Sequence, residues 1–294
     1  MSLSGNPVTP AVCLLDLSPP TACPSAFHSN LRVEPVFLFS TVATLMFSRL
    51  QRHPFAVEAL FERSLVLTYA LPRSTLQPML MPGLELDVFK DFGFIAVALV
   101  ETKHLRPAGL PRWLGRDFFL SGYRIFTRFA RPGRATLRGL QILRSDTDKR
   151  AMKVLGNVFT HYGYRYAKVK RRLQAGTYEV EVTTPEAEAD LHVVADLSKR
   201  PGPLPMGTPF ASVEEARQYA GPLPYTFGHD ASGHIVLVKG VRTIWKPEPV
   251  AVEVKRISYF DSPAFSGVKP VLANAFYLEN VPYRWTPGSL EPVP

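Results

Sequence analysis

The stretch DFFLSGYRIFTRFARPGRATLRGLQILRSDTD, residues 117–148, decides how this chain is interpreted. Two runs that mix aromatic, aliphatic and polar residues flank Pro132-Gly133, a pair typical of a tight turn. The stretch therefore predicts two antiparallel strands joined by a hairpin. Apolar residues fall on both faces of each strand, so we expect both faces of the hairpin to be covered by other parts of the protein.

Arg124, Arg138 and Arg144 interrupt this apolar pattern. A charge in a buried strand must be paired, hydrated or used for binding. A guanidinium framed by apolar neighbours suits recognition of a carboxylate or a phosphate. Gly122 and Gly139 lie inside the strand patterns and indicate a bulge or a close approach of backbone or ligand. The hairpin is therefore predicted to form one wall of a polar pocket.

The register of the hairpin follows from the length of its turn. With Pro132-Gly133 as a two-residue turn, Arg124 is predicted opposite Gln141 and Ser121 opposite Arg144. On this register Arg144 falls on the opposite face from Arg124. A slip of one residue would exchange the faces.

Two interpretations of the arginines stay open at this point. In the first they bind an anion. In the second they form internal salt bridges with Asp117, Asp146 or Asp148, although these aspartates also suit helix caps. His161 lies among aromatic strand residues, as a hydrogen-bonded core histidine or as a group that moves a proton.

The composition is that of an ordinary globular protein, with 46% hydrophobic and 20% charged residues among 294. The 28 prolines and 19 glycines are spread along the chain and indicate many short elements. The net charge of +9 raises the question of nucleic-acid binding. However, the densest basic run, residues 168–172, is typical of a solvated strand end, so we do not expect nucleic acid as a partner.

No metal or cofactor is expected. Cys13 and Cys23 both precede the predicted domain, and histidine pairs with metal spacing, phosphate loops and Gly-x-Ser-x-Gly are absent from the sequence. The beginning of the chain lacks the pattern of a signal peptide. The most apolar window, residues 36–47, is shorter than the ~20 residues that span a bilayer. We therefore expect a soluble cytoplasmic protein without a membrane partner.

The chain is predicted to contain one β domain, residues 63–287, of about a dozen short strands. Before it we expect a flexible leader over residues 1–33 and a helical segment over residues 34–62; residues 288–294 form a tail. Self-association through the helical segment stays open. Many strands with few helices favour a closed or sandwiched sheet, because closure removes exposed edges.

Two short helices are predicted beside the sheet. One covers residues 148–155, with Ser145 or Asp146 as its N-cap and Gly156-Asn157 as its end. The other begins at Ser212, with Glu215 at the spacing of a capping box.

Several motifs resemble the acetoacetate-decarboxylase-like superfamily, in particular Tyr69–Leu76, Met81–Asp87 and Leu120–Tyr123. The chain is more similar to an uncharacterised bacterial branch, a domain of unknown function. The segments that carry this second likeness are Gly122–Phe126, Arg138–Leu140, Arg144–Asp148 and Pro282–Trp285. The resemblance covers residues 50–287 and implies a mainly β (α+β) fold, a closed β-barrel with a few short peripheral helices.

The resemblance also implies a chemistry that the sequence does not carry. The decarboxylases of the superfamily form a Schiff base through a lysine just after the tyrosine of this segment. Here Arg124, Ile125 and Phe126 follow Tyr123, and none is a lysine. An arginine does not deprotonate to become that nucleophile, so lysine-dependent decarboxylation is not expected.

We therefore predict an interior pocket that binds a small organic acid or another anionic metabolite without Schiff-base chemistry. Arg124 is the predicted main anchor. The other candidate ligand-binding residues are Tyr123, Arg138, Arg144, Asp146 and His161. The alternative is a structural or ligand-sensing barrel whose arginines form internal salt bridges, and the third hypothesis is weak nucleic-acid binding.

Overall fold

The computed structural model describes residues 48–219 and 223–293. In this part of the chain the strands are β1 (Val57–Pro72), β2 (Glu85–Leu86), β3 (Phe92–Pro107), β4 (Arg116–Phe129), β5 (Leu137–Thr147), β6 (Tyr164–Tyr166), β7 (Lys168–Gln174), β8 (Thr177–Thr183), β9 (Leu191–Asp196), β10 (Tyr225–His229), β11 (Ile235–Arg242), β12 (Glu248–Pro249), β13 (Ala251–Ile257), β14 (Val271–Trp285) and β15 (Ser289–Glu291). The helices are α1 (Arg73–Leu76), α2 (Arg150–Phe159) and α3 (Val213–Tyr219), with 3₁₀ turns at Gln77–Met79, Arg112–Leu114, Ser258–Asp261 and Pro263–Phe265. The predicted mainly β class with a few short helices is confirmed.

Seven strands form a closed ring in the order β14-β1-β3-β4-β5-β10-β11, and β11 pairs with β14 to complete it. The pairings in the ring are antiparallel except that of β5 with β10, where Gly139 to Gln141 run parallel to Tyr225 to Phe227. Long strands make closure possible, since β1 pairs with β3 on one side and β14 on the other over most of its length. The predicted closed sheet is confirmed.

A second sheet, in the order β13-β9-β8-β7, packs on the outside of the ring. Every second residue of β8 is buried: Tyr178, Val180 and Val182 belong to the same hydrophobic core as Leu65 and Leu67 of β1. Strand β7 is the edge of this sheet, and its side chains are mostly exposed. The basic run 168–172 lies on this edge, where charged side chains discourage pairing with another chain.

The strand β4 has two covered faces, as predicted. Tyr123 and Ile125 are fully buried on the outer face, against the second sheet. Phe126, of which 3% is exposed, packs in a separate cluster inside the ring. A polar residue in the middle of β4 is therefore covered at least in part, whichever face it occupies.

The predicted hairpin register is wrong. Arg124 lies opposite Ile142, not Gln141, while Arg144 lies opposite Tyr123. The ladder ends at Phe129 and Leu137, so the connection is longer than two residues, although the Arg134 N–H does bond the Arg131 carbonyl at 3.0 Å. The observed register thus differs by one residue from the predicted one, and it shifts by a further residue between Arg124 and Tyr123.

That shift is a β-bulge at Leu143, the residue left unpaired between Ile142 and Arg144. A bulge places two successive side chains on the same face of a strand. Arg144 therefore lies on the outer face with Tyr123, and Ser145 lies inside the ring. The sequence pattern of β5 alone does not reveal this extra residue.

The predicted helix over residues 34–62 is wrong over residues 57–62, where β1 has already begun. Pairing with β3 and β14 outweighs the local helical pattern, because Val57 has ladder partners in both strands. Residues 34–47 of that prediction and the leader over residues 1–33 lie outside the described residues.

In the predicted tail, β15 pairs with β11. The division of the chain into domains stays a prediction.

The helix predicted over residues 148–155 forms from Arg150 to Phe159, later than expected at both ends. Ser145 and Asp146 belong to β5, so they do not cap it. Gly156 does not end the helix; instead it packs against the ring of Tyr164, where a Cβ atom would clash. None of the helices in residues 48–219 and 223–293 is long and apolar enough to cross a bilayer.

The capping box of α3 is present as predicted. The Ser212 Oγ accepts a hydrogen bond from the Glu215 N–H at 3.1 Å, and the Glu215 carboxylate accepts one from the Ala211 N–H at 2.6 Å. These bonds satisfy backbone donors that have no partner within the helix.

Candidate functional site

Arg124 faces the inside of the ring. Its neighbours across the ladders are Ala96 of β3 and Ile142 of β5, and these side chains line a cavity of about 120 Å³, the ring cavity. Small side chains on β3 leave this space open, because Ala96 and Ala98 take the inward positions beside Arg124 and Gly122. The sequence thus encloses a charge in a small, mainly apolar space.

The Arg124 side chain folds back along its own strand. A Cβ atom at Gly122 would lie 3.4 Å from both Nε and Nη2 of Arg124. Gly122 is two residues earlier on the same face, so its missing side chain makes room for the guanidinium. The close approach predicted for Gly122 is therefore an approach by Arg124 itself.

A second guanidinium lines the same cavity. Arg242 ends β11, and its guanidinium carbon lies 4.0 Å from the ring centroid of Trp245 and 5.7 Å from that of Tyr283. Burial lowers the pKa of Arg242 below its usual value, an effect that Tyr283 partly opposes. The group keeps its charge at neutral pH.

The phenol of Tyr283 interacts electrostatically with both Arg124 and Arg242. Burial raises the pKa of Tyr283, and the charges of Arg242 and Arg124 both oppose that rise. Burial also raises the pKa of Tyr164 to about 12, again against the charge of Arg124. These phenols are therefore neutral at pH 7 and do not neutralise the guanidinium groups.

The described residues that line the ring cavity include no acid. Among the described residues, no Asp or Glu lines it, and neither Arg124 nor Arg242 takes part in an ion pair. Hydrogen-bond donors are present instead. Ser64 Oγ, Thr68 Oγ1 and Trp245 Nε1 line the cavity, are buried and have no hydrogen-bond partner in the described structure.

A buried donor without a partner costs free energy comparable to a lost hydrogen bond. Three such groups beside two unpaired cations therefore indicate a place for a group that accepts hydrogen bonds and carries negative charge. A lysine nucleophile does not reach this place, since no lysine of the described residues lines the ring cavity.

Arg144 and Asp146 lie on the other face of the sheet. The Arg144 guanidinium donates to both Asp146 oxygens, at 2.7 Å from Nε and 3.0 Å from Nη2, and also to Glu188. Burial raises the pKa of Asp146, while Arg144 opposes that rise. Here the chain supplies its own counter-ions.

Arg138 is paired as well. Its Nε donates to Asp87 at 2.7 Å, and the Nε of Arg128 donates to the other oxygen of Asp87 at 2.6 Å. The guanidinium carbon of Arg138 lies 4.7 Å from the ring centroid of Tyr219. Asp87 is fully buried and forms ion pairs with both arginines. This set of residues does not line the ring cavity.

Tyr123 and His161 are also outside the ring cavity. The Tyr123 ring stacks on Tyr259 with centroids 4.0 Å apart, on the outer face, and its buried hydroxyl has no hydrogen-bond partner in the described structure. His161 lines a separate space of about 10 Å³ that shares Tyr162 and Thr226 with the ring cavity. Burial lowers the pKa of His161, which Asp230 opposes.

Of the six candidate residues, the structure thus places only Arg124 in the ring cavity, and the ligand-binding roles of the others stay predictions. Arg242, Trp245, Tyr283, Ser64 and Thr68 were not singled out from the sequence. One signal was present: Arg242 ends a strand that begins with four apolar residues, and it lies three residues before a tryptophan. Ser64 and Thr68 lie on the inner face of β1, and nothing in the sequence pattern distinguishes them from other strand residues.

A model of the DUF2071 family, described as an uncharacterized conserved protein, matches residues 59–273. The chain belongs to this family. No curated protein matches the chain. The predicted likeness to the uncharacterised branch of the superfamily is confirmed.

Solved structures of similar fold are acetoacetate decarboxylases and related enzymes. The acetoacetate decarboxylase of Legionella pneumophila matches with a TM-score of 0.52 at 12% identity, over 81% of this chain and 88% of that one. An acetoacetate decarboxylase-like enzyme from Sphingomonas wittichii RW1 matches with a TM-score of 0.52 at 13% identity, over 82% and 94%. The enduracididine biosynthesis enzyme MppR, complexed with pyruvate, matches with a TM-score of 0.51 at 9% identity, over 81% and 90%. At such low identity these matches establish the fold.

Proposed function

We propose that this DUF2071 protein binds a small organic acid in the ring cavity, with the carboxylate between Arg124 and Arg242. The observation that carries the proposal is the absence of any acid, among the described residues, beside two enclosed guanidinium groups. Both guanidinium groups are half-buried, and a bound anion offsets the cost of their partial desolvation. Arginine is suited to a carboxylate because its donors match the two oxygens in one plane.

Two further observations support a carboxylate. The volume of about 120 Å³ suits a small group. The hydroxyls of Ser64 and Thr68 and the indole N–H of Trp245 supply donors for oxygens that the guanidinium groups do not reach. A protein of the same fold, MppR, is complexed with pyruvate, itself a small carboxylate.

Any reaction in this cavity is expected to proceed without a Schiff base. The described residues place no lysine there. Two guanidinium groups stabilise negative charge that develops on a bound acid, such as an enolate. Binding is the function that the geometry supports, and the reaction, if one follows, depends on the acid.

The alternative of internal salt bridges applies to other arginines. Arg144 pairs with Asp146, one of the aspartates that this interpretation named, whereas Arg138 pairs with Asp87, which it did not name. Arg124 is not. The structural role and the binding role therefore fall to different residues of one hairpin.

The test is a thermal-shift titration with acetate and pyruvate at constant ionic strength. At a tenfold excess over Kd, a bound acid stabilises the protein by about 1.4 kcal/mol. For a domain of this size that raises Tm by about 3–5 °C. In Arg124→Met the rise is expected to disappear.

Arg172→Met is the matched control, because Arg172 is exposed on β7 and its loss changes the net charge equally. This variant is expected to keep the full response to both acids. An Arg124→Met protein that responds like the wild type would remove Arg124 as the anchor.

A further inference from the structure

A larger apolar cavity adjoins the ring cavity. Its volume is about 640 Å³, within the ~300–1,000 Å³ of typical small-molecule sites. One side is formed by α2, including Ala151 and Met152, and the other by the first residues of β4, including Phe118. This space, the apolar cavity, is lined mainly by hydrocarbon and aromatic groups.

The two cavities share part of their walls. Phe61, Leu120, Tyr162, Tyr164 and Trp285 line both, and we call these five residues the constriction. The Phe61 ring lies 5.6 Å from that of Trp285, and the rings of Tyr162 and Tyr164 lie 6.3 Å apart, measured between centroids. These five residues therefore border both spaces.

Two strands of the ring, β1 and β4, pass from the apolar cavity to the ring cavity in the same direction. Along β4, Phe118 lines the apolar cavity, Leu120 lines both, and Arg124 lines the ring cavity. Along β1 the same order holds for Val57, Phe61 and the residues from Ser64 onward. The cavities therefore follow each other along the axis of the ring.

The position of the Arg124 charge fits this order. The guanidinium folds back over Gly122, toward Leu120 and the constriction. A group bound to it thus lies at the end of the ring cavity that faces the apolar cavity. Leu120 and Arg124 are four positions apart along β4, a length of about 13 Å.

The rim of the apolar cavity carries charged side chains. Arg106, Arg116, Lys149 and Asp117 line it. Arg106 is paired with Glu58, and Asp117 is paired with Lys103. Lys149 is paired with Asp148. Arg116 is thus the rim charge that takes part in no ion pair among the described residues, and its positive charge favours the approach of an anion.

We propose that the two cavities form one site for an amphipathic monocarboxylic acid. Its carboxylate binds Arg124 and Arg242 in the ring cavity, and its alkyl or aryl part passes the constriction into the apolar cavity. This proposal rests on the proposed function and names its ligand class. A small acid such as acetate fills the first part of the site alone.

The test compares straight-chain acids of two, six and ten carbons by calorimetric titration, below the concentrations at which they form micelles. Affinity is expected to rise about fourfold for each methylene that enters the apolar cavity, with one acid bound per chain. Decanol is the control for the head group. It is expected to bind more weakly than decanoate and to be insensitive to Arg124→Met.

Ala151→Trp tests the second cavity separately. Ala151 is exposed at the rim, so a tryptophan there is tolerated by the fold and fills part of the apolar cavity. The variant is expected to lose most of the gain with chain length and to keep acetate binding. Val154→Trp is the matched control, because Val154 is on the same helix, is 61% exposed and does not line the cavity.

Two results would overturn the inference while leaving the proposed function intact. One is equal affinity for acetate, hexanoate and decanoate. The other is a gain with chain length that Ala151→Trp and Val154→Trp both leave unchanged. By contrast, binding of every acid that is unaffected by Arg124→Met would contradict the proposed function itself.

Discussion

The side chains of two arginines in the β4–β5 ladder, Arg124 and Arg144, lie on opposite faces of the sheet, and their surroundings differ. Arg144, on the outer face, donates to both oxygens of Asp146 and to Glu188. Arg124, on the inner face, has no carboxylate partner among the described residues and lines a cavity. A charge that the chain neutralises itself holds the fold together, whereas a charge left without an acid is available to a ligand.

The largest expected effect comes from the paired arginine. Arg144→Met leaves the buried Asp146 carboxylate without its counter-ion, which typically costs 3–5 kcal/mol of the free energy of unfolding. Urea denaturation measures this loss. Carboxylate affinity is expected to stay at the wild-type value. In Arg144→Met with Asp146→Leu most of the stability returns, and a loss below about 1 kcal/mol in the single variant would contradict the structural role.

The cost of Arg144→Met is also expected to depend on pH. Burial raises the pKa of Asp146 in the folded protein, and Arg144 opposes that rise. Without Arg144 the folded-state pKa rises further, while that of the unfolded chain does not change. Between these two pKa values the folded protein binds more protons, so its stability increases as the pH falls.

The destabilisation of Arg144→Met relative to wild type should therefore shrink as the pH is lowered from 7 toward 4. Urea denaturation at three pH values in this range measures it. A destabilisation that stays constant or grows with acid would show that the Asp146 charge is not its cause.

Two glycines of the same hairpin sharpen the comparison. In Gly139→Ala the new methyl group would lie 2.5 Å from Cε2 of Phe227 and 2.6 Å from the Tyr225 carbonyl oxygen, so β10 must move. We expect a cost of about 1–3 kcal/mol in urea denaturation. In Gly122→Ala the three atoms nearest to the methyl group all belong to the Arg124 guanidinium, the closest at 3.4 Å.

Gly122→Ala should therefore cost less than about 1 kcal/mol, because a flexible side chain can adjust. Its effect should fall on carboxylate affinity instead. Equal destabilisation by both alanine variants would mean that Arg124 is held as rigidly as the backbone of β10.

The smallest effect on stability is expected for Arg124→Met. No ion pair is lost and an enclosed charge is removed, so the free energy of unfolding should change by less than about 1 kcal/mol or increase. Carboxylate affinity should fall at least about tenfold, the value of one charge-assisted hydrogen bond. Arg242→Met should behave in the same way. A loss of stability near that of Arg144→Met would contradict the contrast between the two faces.

Much of the fold could be predicted from the sequence because it depends on local patterns. The turn at Pro132-Gly133, the two strands on either side of it and the Ser212 cap are read from neighbouring residues, and the structure contains all three, although the connection between the strands is longer than two residues. The helix predicted over residues 57–62 failed for the opposite reason. There the pairing with β3 and β14, both distant in sequence, decided the conformation.

The candidate site could be predicted only in part. Arg124 stood out as a charge in an apolar strand. Arg242 did not, since it reaches the ring cavity through closure of the sheet between β11 and β14. Contacts of this kind join segments that are far apart along the chain, and no spacing in the sequence records them.

The sequence by itself determined a mainly β protein with arginines set into covered strands and no lysine where a Schiff base would form. Only the tertiary structure decided which arginine is left without an acid. The bulge at Leu143 turns Arg144 toward Asp146 on the outer face, and the closed ring gathers Arg124 and Arg242 inside. The physical reason is that a side chain's face depends on strand register, and register is fixed by turns, bulges and pairing across the whole sheet.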